Sequence, residues 1–143
     1  YGILNPTSGA IFNNDCSISY IPQERYIFDG SILENITLFN ESIDDKTIKK
    51  INSLLTNFNL KYSLNYHIDK GGKNLSGGEI CKICLIRELI KSPNLIIFDE
   101  PLNDLEVSSR ELIMEFIKNL DISVIVVDHS INDYSYFDEV IHI

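Results

Sequence analysis

The sequence predicts an α/β fold built around a parallel sheet, and three observations support this prediction. Residues 95–98 and 124–127 are continuous apolar runs, typical of strands that are buried on both faces. Residues 76–90 and 108–120 place apolar side chains at helical spacing, before the first run and between the two. Strands that alternate with helices usually pair in parallel, and ligands of such sheets bind at the carboxyl ends of the strands.

The composition is that of one globular domain with a substantial core. The chain has 143 residues, 44% of them hydrophobic, and a net charge of −9 from 12 basic and 21 acidic side chains. This acidic balance argues against broad electrostatic binding to nucleic acid or to an anionic lipid surface. No apolar run approaches the roughly 18 residues that cross a bilayer, so we predict no direct membrane insertion. The odd number of cysteines, 3, suggests no disulfide framework and favours a reducing cytoplasm.

The first half of the chain predicts a short N-terminal β-hairpin followed by helices. Residues 10–12 and 17–21 are β-prone runs around a turn-rich segment, and Pro22 ends the second run. A short helix is predicted from Ser31, and the acidic pair at residues 44–45 caps another. We therefore expect an α-helical subdomain between the hairpin and the later strands.

The second half of the chain predicts strands and helices in alternation. Ser76 followed by Glu79 is a capping box, and it indicates the start of a helix that Pro93 ends. The strand at residues 124–127 leads into a histidine, and a last strand is predicted at residues 139–143.

Two adjacent carboxylates, Asp99 and Glu100, end the first buried strand. Side chains that follow each other along a strand project in different directions, so the two can divide labour. One carboxylate can hold Mg²⁺ through its hydration shell while the other orients or deprotonates an attacking water. An ordinary solvated strand end is the alternative interpretation.

The segment Ser76-Gly77-Gly78 lies at a predicted helix start. Two glycines allow a phosphate to approach the backbone N–H groups at the positive end of the helix dipole. Plain helix-start chemistry is again the alternative. Because this turn precedes the paired carboxylates by one helix and one turn, the two motifs together indicate nucleotide hydrolysis.

Two further polar residues follow predicted strands. Gln23 could reach a metal or a water through its amide, and His129 could contact a terminal phosphate or orient water. Either residue could also be purely structural. Cys81 and Cys84 form a C-x-x-C inside a helix without a second ligand pair, so helix packing is favoured over redox chemistry, and zinc binding is disfavoured.

The sequence contains no G-x-x-x-x-G-K-[ST] phosphate loop. The nearest approximation, residues 67–74, has His67 where the first glycine should be and Asn74 where the hydroxyl should be. A phosphate-binding lysine at such a loop is therefore missing from these 143 residues.

The motifs resemble those of the ATP-binding domain of ABC (ATP-binding cassette) proteins. Residues 75–79 look like the family's signature motif, residues 95–100 like its Walker B strand, and residues 101–106 like its D-loop. Gln23 is similar to the Q-loop glutamine, and His129 to the switch histidine. The resemblance covers almost the whole chain and implies a partial P-loop NTPase-like core with an inserted α-helical subdomain.

The resemblance also implies a role for each site residue. Glu100 would be the general base, Gln23 a sensor of metal and γ-phosphate, and His129 a contact of the γ-phosphate. Asp99 would bind Mg²⁺ through water. The signature motif would cradle ATP bound to a facing domain through Leu75, Ser76, Gly77, Gly78 and Glu79. The D-loop would comprise Asn103, Asp104, Leu105 and Glu106.

The resemblance further implies ATP and Mg²⁺ as cofactors and a second ATP-binding domain, in a homo- or heterodimer, as a head-to-tail partner. Residues 26–36 look like the exporter segment that meets the transmembrane domains, and the short stretch 9–23 resembles the multidrug-resistance-protein and chloride-channel branch. We therefore expect an exporter ATPase at the cytoplasmic face of the cell membrane. ATP-driven dimerisation would be coupled to transport.

The expected organisation has three parts within one domain. Residues 1–23 would form the hairpin and the Q-loop, residues 24–91 the helical subdomain with the signature, and residues 92–143 the remaining core. Since Tyr1 resembles a mid-domain position, the Walker A loop is expected upstream of it, and this chain alone is expected to be inactive.

Departures from the family pattern keep two alternatives open. Glu79 replaces the usual Gln of the signature, and Asn103 and Glu106 stand where Ser and Asp are usual in the D-loop. One alternative is a soluble cassette ATPase acting in translation or DNA maintenance. The other is a degenerate, non-hydrolysing regulatory cassette that completes a partner's site.

Overall fold

The computed structural model of the protein describes residues 6–10, 16–103, 105–131 and 133–142. One sheet in this part of the chain is parallel and contains, in spatial order, the strands Ile18–Ile21, Leu95–Asp99 and Ser123–Val127, and the other pairs Gly30–Ser31 with His67–Ile68 antiparallel. The predicted α/β fold with a parallel core is therefore confirmed. In chain order the elements are β1 (Ile18–Ile21), β2 (Gly30–Ser31), α1 (Ile32–Thr37), α2 (Asp45–Asn57), β3 (His67–Ile68), α3 (Gly77–Leu89), β4 (Leu95–Asp99), α4 (Val107–Lys118) and β5 (Ser123–Val127).

The register of the parallel sheet brings the carboxyl ends of its strands to one edge. Ile21 lies beside Phe98 across one pair of strands, and Asp99 lies beside Val127 across the other. Chain segments that are far apart in sequence therefore leave the sheet side by side. The candidate site residues that follow these strand ends are Gln23, Glu100 and His129.

Full burial of the sheet strands is a prediction that proves wrong. Along β4, Ile96 and Phe98 are fully buried while the alternate side chains are half-buried. On β5, Ile125 and Val127 are 48% and 49% exposed. The reason is that the described residues cover only one face of β5, where Val124 and Val126 pack against the core.

The two ends of the chain differ from expectation in different ways. Residues 11 and 12 of the predicted hairpin lie outside the described residues, and its second arm is β1, which pairs in parallel with β4. The predicted last strand is wrong for residues 139–142, which form no strand, and residue 143 lies outside the described part. Val140 and Ile141 are exposed, and no described strand supplies the backbone partners that their alternating pattern would need.

Helices α1, α2 and α3 begin where their capping residues predict. Ser31 and Ser76 each accept a hydrogen bond from the backbone of a glutamate three residues later, and that glutamate bonds back to the cap backbone. Asp44 accepts from the backbone N–H of Thr47 at 2.8 Å. Each bond satisfies one of the free N–H groups at a helix start, so these starts are decided locally.

Helix α3 is the centre of the core. Its side chains are buried around most of its circumference, and it contacts β1, α1, α2 and α4. Arg87 on α3 donates from Nε to the carbonyl of Asn35 at 2.8 Å and from Nη1 to the carbonyl of Tyr26 at 3.0 Å. These bonds attach α3 to α1 and to the loop that follows Gln23. No helix in the described ranges combines the length and the apolar character needed to cross a membrane.

Candidate active site

The Glu100 carboxylate is the centre of a hydrogen-bonded group at the carboxyl edge of the parallel sheet. Gln23 donates from Nε2 to Glu100 Oε2 at 2.6 Å, and the Nδ2 of Asn103 donates to the same oxygen. The Nδ1 of His129 lies 3.0 Å from Glu100 Oε1. Two distant chain segments and the turn that follows β4 therefore converge on one carboxylate, which is 23% exposed beside a 74% exposed histidine.

The backbone at Glu100 turns sharply out of the sheet. Its N–H donates to the carbonyl of Val127 at 2.7 Å, so the sheet hydrogen bonding reaches this residue. Its φ is +47°, a left-handed conformation that non-glycine residues rarely adopt. Backbone strain of this kind costs about 1–3 kcal/mol and persists where the surrounding contacts enforce it.

Asp99 belongs to β4 and faces a different neighbour. The Tyr20 hydroxyl donates to Asp99 Oδ2 at 2.7 Å from the adjacent strand β1. The hydrogen bond to Asp99, with smaller effects of burial and of the carboxylate charge, raises the pKa of Tyr20. The two adjacent carboxylates therefore have separate environments, as their alternation along the strand predicts.

The residues at this edge fit a magnesium ion in their donor chemistry. Mg²⁺ in proteins usually takes one or two carboxylates, waters and the phosphates of a substrate. Asp99 supplies a carboxylate and Gln23 an amide oxygen, and both are hard donors. Asp99 is hydrogen-bonded to Tyr20, and Gln23 is hydrogen-bonded to Glu100. Within the described residues no cluster of three or more His, Cys, Asp or Glu side chains is suited to hold a metal.

The predicted phosphate-binding turn is a closed helix cap on an exposed surface. Ser76 Oγ accepts from the Glu79 N–H at 3.3 Å, and Glu79 Oε2 accepts from the Ser76 N–H at 2.8 Å and from the Ser76 hydroxyl at 3.0 Å. Ser76 and Gly77 are exposed, Leu75 is half-buried and Gly78 is buried. A Cβ on Gly78 would lie 2.7 Å from Ser109 Oγ, so this glycine allows α3 to approach the start of α4.

Glu79 has a further partner outside the turn. The Tyr62 hydroxyl donates to Glu79 Oε1 at 2.8 Å. This bond, with burial and the carboxylate charge, raises the pKa of Tyr62 to about 12. Burial raises the pKa of Glu79, but the hydrogen bonds from Ser76 and Tyr62 outweigh it and leave that pKa lowered.

The D-loop residues divide between the site and the core. Asn103 contacts Glu100, while Leu105 is buried. Glu106 occupies the N-cap position of α4 without a side-chain cap bond, and Asp104 lies outside the described residues. Of the four predicted D-loop residues, one is thus seen to join the group around Glu100.

The signature turn and the Glu100 group are not joined by any hydrogen bond among the described residues. The side-chain bonds of Ser76 and Glu79 stay within the cap and Tyr62, whereas those of Glu100 go to Gln23, Asn103 and His129. A weaker link lies one turn into α3. There Cys81 Sγ is 3.7 Å from the carbonyl of Pro101.

The C-x-x-C thiols pack in the interior of α3. Burial raises the pKa of Cys81 to about 11 and also raises the pKa of Cys84. Both are free thiols, and at neutral pH both are almost wholly protonated. Helix packing, the favoured interpretation of this pair, agrees with this burial.

Three contacts of the site were not predicted from sequence. These are the bond from Tyr20 to Asp99, the bond from Tyr62 to Glu79, and the bonds from Arg25 to the backbone at residues 100 and 101. The strand position of residue 20, close to its carboxyl end, was the available signal for the first. The other two have no local sequence signal.

The fold is that of an α/β protein whose polar residues gather at the carboxyl edge of a parallel sheet, where proteins of this class bind their ligands. A family model described as ABC transporter matches residues 1–103. The chain belongs to the ABC transporter family, and the resemblance drawn from its motifs is confirmed.

Two similar proteins are named as transport ATP-binding or ATP-binding/permease proteins. Over 130 residues the chain is 29% identical to the lactococcin-G-processing and transport ATP-binding protein LagD of Lactococcus lactis subsp. lactis, covering 87% of this chain and 18% of that protein. Over 156 residues it is 26% identical to CydC of Escherichia coli, a glutathione/L-cysteine transport system ATP-binding/permease protein, covering 96% and 27% respectively. The chain thus spans between 18% and 27% of the length of these relatives.

A solved structure supports the fold. The chain matches a bacterial Atm1-family ABC exporter with ATP bound at a TM-score of 0.67 and 19% identity. The match covers 80% of this chain and 21% of that one. At this identity the similarity establishes the shared fold.

Proposed function

We propose that this chain is the ATP-binding and ATP-hydrolysing part of an exporter-type ABC transporter. The observation that carries the proposal is the convergence of Gln23, Asn103 and His129 on the Glu100 carboxylate at the carboxyl edge of the sheet. Relatives named as transport ATP-binding proteins, and a fold shared with an ABC exporter, support the same function.

In this proposal Glu100 is the general base that takes a proton from the attacking water. A carboxylate has about four lone-pair sites, so the bonds from Gln23, Asn103 and His129 orient it and leave capacity to accept from water. His129 is exposed beside Glu100 and contacts the γ-phosphate, while Gln23 reports on the metal and the phosphate through its amide. The three side chains fix the direction of the base before the water attacks.

In this proposal Asp99 binds the metal ion through water. When bound there, Mg²⁺ would neutralise charge that develops on the transferred phosphate oxygens. The Tyr20 hydroxyl holds Oδ2 of Asp99, which fixes the orientation of the carboxylate plane. Gln23 can serve both the base and the metal. Its amide nitrogen donates to Glu100, and its amide oxygen is left to bind the metal.

The signature turn serves a facing domain in this proposal. Its exposed Ser76 and Gly77 present the N-terminus of α3 outward, and its described hydrogen bonds are separate from those of Glu100. A head-to-tail pair of domains would then form each ATP site from one signature and one Glu100. Leu75, Gly78 and Glu79 shape the turn, and the D-loop, Asn103 to Glu106, would carry communication between the two facing domains.

Coupling to transport would occur through the segment after Gln23. Tyr26 is 64% exposed, and Phe28 and Phe39 stack edge to face beside it. Exposed aromatic clusters of this kind commonly mark protein interfaces. Within the proposed three-part organisation at residues 1–23, 24–91 and 92–143, this surface belongs to the helical subdomain, which would meet transmembrane domains at the cytoplasmic face of the membrane.

The test is the Glu100→Gln substitution in the intact protein. This change keeps the shape of the side chain and removes its basicity, so we expect ATPase kcat to fall at least about a hundredfold while ATP binding is retained. Glu111→Gln, at an exposed carboxylate on α4, is the matched control and should keep kcat. Undiminished hydrolysis by Glu100→Gln would refute the assigned base. A wild-type protein that binds ATP without hydrolysing it would favour a regulatory cassette.

A further inference from the structure

Arg25 lies two residues after Gln23 and reaches the backbone that follows β4. Its Nη2 donates to the carbonyl of Pro101 at 2.7 Å and to the carbonyl of Glu100 at 3.2 Å. The side chain is half-buried, and it spans 75 positions of sequence to make these bonds. One short loop thus contacts Glu100 in two ways. Gln23 binds the side chain of Glu100, and Arg25 binds its main-chain carbonyl.

The carbonyls that Arg25 binds belong to the backbone turn at Glu100, where the chain adopts a left-handed conformation. Glu100 has a φ of +47°, and such a conformation persists when neighbouring contacts enforce it. A guanidinium that bridges two successive carbonyls restricts the rotation of the peptide between them. Because the Cα–Cβ bond of Glu100 turns with this backbone, the direction of its carboxylate depends on the bridge.

The bonding of Arg25 is concentrated on this bridge. Among the described residues, Nη2 makes both hydrogen bonds of the side chain, and the buried Nε has no partner. The Pro101 carbonyl has another neighbour, since Cys81 Sγ lies 3.7 Å from it. The Glu100 carbonyl likewise has another neighbour, since it accepts from the Asn103 N–H at 3.4 Å. Loss of the guanidinium would therefore leave each carbonyl a weaker partner, but it would remove the side chain that joins the two.

We propose that Arg25 is a positioning residue for hydrolysis, which fixes the Glu100 carboxylate by bridging the carbonyls of Glu100 and Pro101. The inference rests on the proposed function, because it requires Glu100 to be the base. Arg25 acts through Glu100 and contributes to the chemical step rather than to the affinity for ATP.

The experiment compares Arg25→Met, Arg25→Lys and Glu100→Gln with the wild type in the intact protein. Steady-state ATPase assays give kcat and KM, and equilibrium titration with Mg-ATP gives the affinity of each variant. Arg25→Met removes the bridge, and a misplacement of about 1 Å at a reacting group can cost on the order of a hundredfold in rate. We expect kcat to fall between about tenfold and a hundredfold, with KM and affinity within about twofold of wild type.

Arg25→Lys keeps the charge but replaces the rigid, planar guanidinium by an ammonium group with a shorter reach, so we expect it to recover part of the lost kcat. Lys49→Met removes an equal charge from an exposed position on α2 and should keep the wild-type kcat. If Arg25→Met does not fold, the kcat and KM of Arg25→Lys alone test the inference. A reduced kcat at unchanged KM then supports the inference, and an unchanged kcat overturns it.

A combined variant separates positioning from a general structural role. If Arg25 acts through Glu100, the double variant should have a kcat less than about twofold below that of Glu100→Gln alone. The reason is that the effects of residues that act as a unit are not additive. Independent, multiplied losses, or a parallel loss of ATP affinity, would overturn the positioning role. If Arg25→Met retains full kcat while Glu100→Gln is inactive, the inference fails and the proposed function stands. If Glu100→Gln is active, both fail.

Discussion

At the scale of single residues, the signature turn already satisfies its own polar groups. The Ser76 hydroxyl donates to Glu79 Oε2, and the other oxygen of Glu79 accepts from Tyr62. To donate to a phosphate on a facing domain, Ser76 would have to release this bond. The glutamate, which stands where the family usually has Gln, therefore strengthens the cap at the expense of a free hydroxyl.

Glu79 should give the folded chain a specific dependence of stability on pH. Its folded-state pKa is lowered from the ordinary 4.5, so its contribution is present above that value and lost as pH falls through the folded pKa. Glu79→Gln keeps a capping-box partner and removes the titration. Thermal unfolding between about pH 6 and about pH 3 should show a smaller fall in Tm for the variant than for the wild type.

Tyr62→Phe provides the companion measurement for this cap. The Tyr62 hydroxyl helps to lower the pKa of Glu79. In the Tyr62→Phe background, Glu79→Gln should therefore still reduce the acid-induced fall in Tm, but by less than it does in the wild type. Equal losses of Tm in wild type and Glu79→Gln over this pH range would contradict the role assigned to the Glu79 carboxylate.

At the scale of elements, sequence predicted the helices better than the exposure of the strands. The starts of α1, α2 and α3 depend on Ser31, Asp44 and Ser76, whose partners lie three residues away, so local sequence was sufficient. The exposure of β5 depends on which elements cover it, and the apolar run at residues 124–127 carries no such information. The same limit explains why the exposed segment at residues 139–142 was wrongly predicted as a strand.

The contact between α3 and α4 predicts the effect of a substitution at Gly78. An added Cβ would lie 2.7 Å from Ser109 Oγ and 3.2 Å from Ser109 Cβ, and overpacking typically costs about 1–3 kcal/mol. Gly78→Ala should therefore lower the free energy of unfolding by roughly 1–2 kcal/mol, after the small gain in helix propensity. Chemical denaturation of the chain measures this difference.

Ser109→Gly tests whether the clash is the cause. It removes the atoms that the new methyl group meets, so Gly78→Ala combined with Ser109→Gly should be less destabilised than the sum of the two single changes. Additive losses would mean that Gly78→Ala acts through the backbone of the signature turn instead.

At the scale of the whole molecule, the parallel sheet assembles the site. Sequence located Gln23, Glu100 and His129 because each follows a recognisable strand, and strands of a parallel sheet end at the same edge. It did not find the contacts of Tyr20 or Arg25, which depend on the register of β1 beside β4 and on side-chain geometry across more than 70 residues. Such long-range pairs leave no local pattern in one sequence.

One component expected of an ATP site has no counterpart in these 143 residues. The 143 residues contain no G-x-x-x-x-G-K-[ST] loop, so in the proposed assignment the described edge would supply the base and the metal-side carboxylate without a lysine-bearing phosphate cradle. Charge-assisted hydrogen bonds to phosphate are worth about 1.5–3 kcal/mol each. The loss of even two such bonds should weaken ATP binding by at least about a hundredfold.

We therefore expect the 143-residue chain alone to bind Mg-ATP at least about a hundredfold more weakly than the intact protein does. Calorimetric titration of both with Mg-ATP measures the ratio, and circular dichroism with thermal unfolding of the isolated chain verifies that weak binding occurs in a folded protein. Because the signature turn is exposed and complete, the isolated chain should still present it to a facing domain. An affinity within about tenfold of the intact protein would mean that the edge around Glu100 binds ATP without a phosphate loop, contrary to the division of labour proposed for the two motifs.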